Sequence, residues 1–208
     1  MRYWKPKPNI PASAKVGISL VTYNQGNSLA SLIYALKAQT YKNFKAYISH
    51  DGPWADDESL SACKSAIGGD SRFDLSCTPF RVGKHGHNMR QPGLDRAVND
   101  GCDWLCTMNA DCWYVPVYFE WMLSKAYSDK ASFVYCNMVH SHKLWAPVST
   151  ALMRGRIDGG AWIASACLCS KVKWDSTDFA ADWFFVNNLS TLPEFKPAKV
   201  EGYLFTHN

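Results

Sequence analysis

The sequence is short of charge, of glycine-rich phosphate motifs and of long apolar runs, and each shortage removes a class of protein. Charged residues make up only 19% of the 208, against 47% hydrophobic. That balance excludes a disordered or fibrous chain and predicts a packed core. No stretch approaches the ~18–20 apolar residues needed to cross a bilayer. The proline-broken opening MRYWKPKPNIPAS has no apolar run of the signal-peptide kind, so a soluble, cytoplasmic protein is expected. There is no GxGxxG, and Gly83-Lys84-His85-Gly86-His87 lacks the spacing of a Walker A loop. The net charge of +4 is spread along the chain rather than clustered, which argues against a dedicated nucleic-acid face. No C-x2-C pair accompanies Cys102-x3-Cys106-x5-Cys112, Cys167-x-Cys169, His85-x-His87 or His140-x-His142, so a structural zinc site is not expected.

What the chain does have is eight cysteines, nine tryptophans and 14% aromatics. Cys102, Cys106, Cys136, Cys167 and Cys169 lie in apolar segments and read as reduced thiols that fill core space. Aromatic side chains at this frequency either pack the core or line a ligand cleft. Trp145, Trp162, Trp174 and Trp183 carry both readings, as core or as a stacking surface for an acceptor.

Apolar runs and turn signals alternate along the chain. VGISLVTY (16–23) predicts a strand, ended by Asn24-Gln25-Gly26, and Leu29, Leu32, Ile33 and Leu36 predict a helix from Asn27. FKAYISH (44–50) predicts a second strand stopping at Asp51-Gly52-Pro53, and Asp56-Asp57-Glu58 suits a helix start. FDLSC (73–77) follows as a strand, then a helix over 92–100 with Pro92 at its first position and Gly101 past its end. DWLCTM (103–108) predicts a strand, Pro116 a helix through Phe119, Met122, Leu123 and Ala126, and SFVYCNM (132–138) another strand. AWIASACL (161–168) reads as a strand, 178–190 as a helix with Phe179, Trp183, Val186 and Leu189 inward, and GYLF (202–205) as a terminal strand. Without a linker or repeat, one α/β domain with a mostly parallel central sheet flanked by helices is expected.

In such sheets ligands bind beyond the carboxyl ends of the strands. Thr22-Tyr23-Asn24, Asp51-Gly52 and Asn109-Ala110-Asp111 are the places where polar residues terminate apolar strands. Any one of them alone is an ordinary turn; together they point to a site. A carboxylate at Asp111 suits a hard divalent cation whose other ligands are phosphate oxygens and water. Asp51 can accept hydrogen bonds from a base or a ribose hydroxyl. Lys84, His85, His87 and Arg90 offer an edge that attracts anions, while His85, His87, His140 and His142 are expected to face solvent.

Residues VGISLVTYNQGNSLASLIYALKAQTYKNFKAYISHDG, then Arg90-Gln91-Pro92-Gly93-Leu94 and DWLCTMNAD, resemble family 2 glycosyltransferases of the GT-A fold. The resemblance is strong over about 16–122 and thinner beyond. It divides the chain into an extension (1–15) and a GT-A domain (16–208), with a nucleotide-binding half (16–112) and an acceptor and catalytic half (113–208). It implies a transfer from a nucleotide-diphosphate sugar, UDP-linked in preference, to an acceptor hydroxyl. By this resemblance Thr22, Tyr23, Asn24, Asp51, Arg90 and Asn109 would hold the nucleotide. Asp111 matches the second aspartate of Asp-x-Asp and, with His207, would bind Mn2+ or Mg2+. Asn109 stands where the first aspartate falls and Cys112 where many relatives have another acid, so a metal-independent variant stays open. Gly159-Gly160 resembles the glycine loop beside donor and acceptor. Asp182, followed by Trp183, resembles the family's general base for an inverting transfer, with Ala181 in place of glutamate and Asp175 and Asp178 as nearby competitors. Two other readings remain: a non-catalytic sugar-nucleotide binder, favoured by Asn109, Cys112 and Ala181, and a nucleotidyltransferase, whose loop of glycines and basic residues after the first strand is missing here.

Overall fold

A computed structural model describes residues 10–55 and 57–208. Residues 1–9 of the expected extension, and Asp56 of the expected acidic helix start, lie outside the described residues.

The first strand, β1 (Val16–Thr22), is buried at all seven positions: parallel partners flank both of its edges, and helices cover its faces. Its run of Val, Ile and Leu is what a strand covered on both faces requires. Helix α1 (Gly26–Lys37) returns the chain, burying Leu29, Leu32, Ile33 and Leu36. Next come β2 (Phe44–His50), α2 (Asp57–Ile67) and β3 (Phe73–Cys77). Residues 83–86 then form a left-handed turn, with φ of 74°, 55°, 54° and 71° at Gly83, Lys84, His85 and Gly86.

That turn leads straight into α3 (His87–Asn99), five residues ahead of the expected start, so Pro92 sits inside the helix. Its ring deprives the Asn88 carbonyl of a helical donor, a loss that solvent can make good because Asn88 is exposed. The expected end is right: Gly101 takes φ +69° just beyond the helix. Gly93 lets α3 pack on β1, since a Cβ there would lie 2.2 Å from Ser19 Oγ, which donates to the Arg90 carbonyl at 2.8 Å.

The second half adds β4 (Trp104–Asn109), β5 (Trp113–Tyr114), α4 (Tyr118–Asp129), β6 (Phe133–His140), β7 (Ala146–Val148) and β8 (Trp162–Ser165). It closes with α5 (Ala166–Cys169), α6 (Ala181–Ser190) and β9 (Pro197–His207). The nine strands among the described residues join one sheet in the order β3-β2-β1-β4-β8-β6-β9-β5, with β7 on β6. Its β3-β2-β1-β4 half is parallel, as expected. Beyond β4 it is mixed: β8 is antiparallel to both neighbours, and β9 is parallel to β6 but antiparallel to β5.

Three local expectations fail here. The strand expected over 161–168 ends at Ser165, whose hydroxyl accepts the Leu168 amide and caps α5. That turn carries Cys167 to the surface, whereas Cys102, Cys106, Cys136 and Cys169 are buried as expected. Helix α6 begins at Ala181 and not 178, which leaves Phe179 outside it and 86% exposed. All eight cysteines are free thiols.

The aromatic surplus is mostly core. Tyr114 stacks on Phe205 at 5.3 Å, and Phe185 stacks on both Trp162 and Trp174 at 5.6 and 4.9 Å. Trp162 and Trp174 are buried and therefore cannot offer a surface to an acceptor; Trp145 is exposed and Trp183 half-buried. Burial of each large ring contributes about 1.5–3 kcal/mol.

Candidate active site

The carboxyl ends of β1, β2 and β4 form one side of the site. Thr22 is buried, and its hydroxyl has no hydrogen-bond partner among the described residues. Tyr23 is half-exposed, with the Arg81 guanidinium 3.9 Å above its ring. Asn24 takes a left-handed φ of 49° and donates its amide to His50 Nε2 at 3.1 Å. His50 is fully buried, lies 2.6 Å from the Gly52 carbonyl through Nδ1, and stacks on Trp54 at 3.9 Å. With Nε2 accepting, Nδ1 carries the proton. Asp51 is also buried, and its two oxygens accept the amides of Val82 and Gly83 at 2.6 and 2.8 Å. It thereby anchors the loop that enters the left-handed turn.

Arg90, from α3, is buried below β4. It donates to Asn109 Oδ1 and to the Met108 carbonyl, and lies 5.1 Å from the Trp174 ring centroid. Its Nε has no partner among the described residues. Arg90 is thus a buried cation set against Asp158 and Asp182, not part of an exposed basic edge. His87 beside it is buried against Trp174, and burial with the Arg90 and His85 charges pulls its pKa down to about 4. The anion-attracting edge expected from Lys84, His85, His87 and Arg90 therefore reduces to the exposed Lys84 and His85. The expectation that His87 faces solvent fails with it.

The other side is acidic. Strand β9 pairs Thr206 with Trp113 and His207 with His140, which brings the end of the described chain beside Asp111. One ligand atom each from Asp111, Cys112 and His207 lies within 4.8 Å of the other two. Asp111 Oδ2 accepts from Gln25 at 3.1 Å, and His207 Nδ1 lies 2.6 Å from Asp158 Oδ2. The His207 ring also stacks on His140 at 4.5 Å, so His140 is packed against the site and does not project into solvent. Burial alone would push His207 down, but the Asp158 hydrogen bond and charge, with Asp111 and Asp182, more than offset it and hold the imidazole above its ordinary value. Burial likewise pushes Asp158 up, yet His207, the Gly160 amide and Arg90 leave its carboxyl below the usual range.

Asp158 is the residue that sequence reasoning missed. Its side chain caps the 3₁₀ turn Gly159–Ala161 by accepting the Gly160 amide at 2.7 Å. The only signal was an acid directly before Gly159-Gly160. Those glycines are buried: a Cβ on Gly160 would lie 2.4 Å from Tyr114 Oη, and one on Gly159 would lie 3.8 Å from Asp182 Cβ. Asp182, in the first turn of α6, is half-buried and accepts the Trp183 amide at 2.8 Å. Burial and the Asp158 charge raise its pKa to about 6, against the Trp183 amide, Arg90 and the Gly159 amide. Its competitors lie elsewhere: Asp175 is exposed, and Asp178 is exposed and accepts the Ala180 amide ahead of α6.

A mixed α/β domain with polar groups gathered beyond the carboxyl ends of its parallel strands is built to hold a ligand there. The family model for glycosyl transferase family 2 matches residues 18–156, and the chain belongs to that family. Its fold is that of S. aureus TarS 1–349, with a TM-score of 0.75 and 13% identity over 93% of this chain and 60% of that one. The same TarS fragment in complex with UDP-GlcNAc gives a TM-score of 0.73 and 14% identity over 92% of this chain and 58% of that one. The mannosyltransferase PcManGT from Pyrobaculum calidifontis, in complex with GDP-Man and Mn2+, gives 0.69 and 11% over 99% and 60%. The chain therefore spans about 60% of the length of these solved structures. No curated protein matches the sequence. Among the described residues, no helix is long and apolar enough to cross a membrane.

Proposed function

We propose that this chain transfers a sugar from a nucleotide-diphosphate donor to an acceptor hydroxyl with inversion, Asp182 acting as the general base. The observation that carries this reading is a carboxylate raised to about 6, bordering Gly159 and felt by the same Arg90 and His207 that also feel Asp158. A base of that pKa is ionised at neutral pH yet still draws a proton effectively from a hydroxyl as its oxygen attacks the anomeric carbon. Family membership and the nucleotide-sugar complexes of the neighbours support the donor class.

The nucleotide lies over the ends of β1 and β2. The exposed Tyr23 ring and Asn24 face it, with the buried Thr22 hydroxyl, unpartnered among the described residues, behind them, while Asp51, Arg90 and Asn109 hold the walls in place. A divalent cation fits the other side, because Asp111 supplies an anionic oxygen and His207, with Nδ1 committed to Asp158, has Nε2 to offer. Such an ion offsets charge developing on a departing diphosphate. Asp158 orients His207, as carboxylates behind metal-binding histidines commonly do.

Incubation with UDP-, GDP-, CMP- and dTDP-sugars, reading nucleoside diphosphate (or CMP) release, tests the assignment. Release from one donor, abolished by Asp182→Asn, is the expected result. Binding without any release favours the non-catalytic reading, in which Asn109 serves only as the acceptor for Arg90.

A further inference from the structure

Cys112 departs from the all-oxygen surroundings that Mn2+ and Mg2+ prefer. It is only 3% exposed, yet its sulfur is one of the three atoms clustered with Asp111 and His207. Its Sγ lies 3.8 Å from Asp111 Oδ1. Two ligands on neighbouring corners of a tetrahedral zinc ion, at ~2.3 Å for sulfur and ~2.0 Å for oxygen, are roughly 3.5 Å apart. The other two side chains are already held in place. Gln25 holds the far oxygen of Asp111, and Asp158 holds Nδ1 of His207 while His140 stacks on the ring.

We infer that Cys112 is the third protein ligand of this site, and that the Asp-Cys-His set selects Zn2+ over Mn2+ and Mg2+. A thiolate is a soft donor and imidazole a borderline one, and both suit zinc. Carboxylates, carbonyls and water suit magnesium and manganese. Three protein ligands with one corner left over is the pattern of zinc sites that take part in reactions, unlike the closed four-ligand structural sites that the cysteine spacing argues against. On binding, the Cys112 S–H bond breaks, its electron pair goes to the metal and its proton leaves to buffer. The free corner accommodates a phosphate oxygen of the donor, a point that rests on the transferase reading.

The test is cobalt(II) titration of the full chain, because a thiolate bound to cobalt adds a charge-transfer band in the near ultraviolet that oxygen and nitrogen ligands do not give. Wild-type protein should show the band, and Cys112→Ser, verified as folded by circular dichroism, should lose it. No band in the wild type, or a band kept by Cys112→Ser, overturns the assignment. If Cys112→Ser does not fold, the wild type alone decides through mass-spectrometric mapping of alkylation. Zinc should slow labelling of Cys112 at least tenfold and leave the exposed Cys77 and Cys167 unchanged; equal rates at Cys112 with and without zinc overturn it. Turnover with Mn2+ but without a cobalt band removes the ligand assignment and keeps the transferase. A band with no turnover of any donor does the reverse.

Discussion

Asp182, the proposed general base, carries a charge that the fold disfavours. Its folded pKa of about 6 exceeds the ordinary value of 3.8, so the folded protein binds the extra proton more tightly than the unfolded chain does. By linkage, stability falls as pH rises from about 4 to about 6, and the ionised group stays unfavourable above that. A shift of about two units is worth up to about 3 kcal/mol, reduced to about 1–2 kcal/mol by partial solvation. Asp182→Asn should therefore abolish transfer, keep donor binding and raise the melting temperature by a few degrees, checked by calorimetry at pH 7.5. A lower melting temperature would show that the charge is not strained. Turnover should fall as pH drops through about 6, because the base is then protonated, and a pH–rate profile reads this directly. The sequence offered Asp182 only through its resemblance to a family motif, beside the plainer reading of a carboxylate at a helix start. It could not carry the raised pKa, which depends on Asp158, brought alongside from another segment.

At the scale of elements, the tight 3₁₀ turn at Gly159–Ala161 packs against β4, with Asp182 of α6 beside Gly159. Tyr114 and Tyr118 both donate to the Gly160 carbonyl, at 3.4 and 3.1 Å, and Thr107 donates to that of Gly159 at 2.7 Å. Gly160→Ala puts a methyl group 2.4 Å from Tyr114 Oη and 3.0 Å from Phe205. It should cost about 2–3 kcal/mol, as overpacking of a filled core does. Tyr114→Phe in the same chain removes the nearer clash and should return part of that loss in urea denaturation, whereas strictly additive losses would place the strain elsewhere. The strands and helices of the first half were legible because each is a local pattern of apolar runs closed by turn residues. The extra turns of α3 were hidden by Pro92, which reads as a helix start although a helix can absorb it where the freed carbonyl is exposed. The length of β9 was hidden for another reason: its ends are held by pairing with β5 and β6, which no local pattern encodes.

Over the whole molecule, that same pairing decides where the site closes. Strand β9 lies between β6 and β5, with register irregularities between Cys136 and Met138, and so delivers His207 to Asp111 across more than ninety residues of chain. The candidate residues were legible one at a time through family resemblance, but the Asp158–His207 pairing and the entry of Cys112 were not, because they depend on this long-range closure. If the site is assembled before any ligand arrives, donor binding adds its full free energy to stability. A sugar nucleotide at a hundred times its dissociation constant stabilises by about 2.7 kcal/mol, which for a domain of this size raises the melting temperature by roughly 5–10 °C. Thermal shifts with UDP-, GDP-, CMP- and dTDP-sugars, each with and without a divalent ion, should then single out one base, and the ion should enlarge the shift for that donor alone. Asp111→Ala should remove most of the enlargement and leave the ion-free shift in place, since Asp111 is proposed to hold the cation and Thr22, Tyr23 and Asn24 the nucleotide. An Asp111→Ala protein that responds to the ion as fully as the wild type would mean that Asp111 is not a ligand.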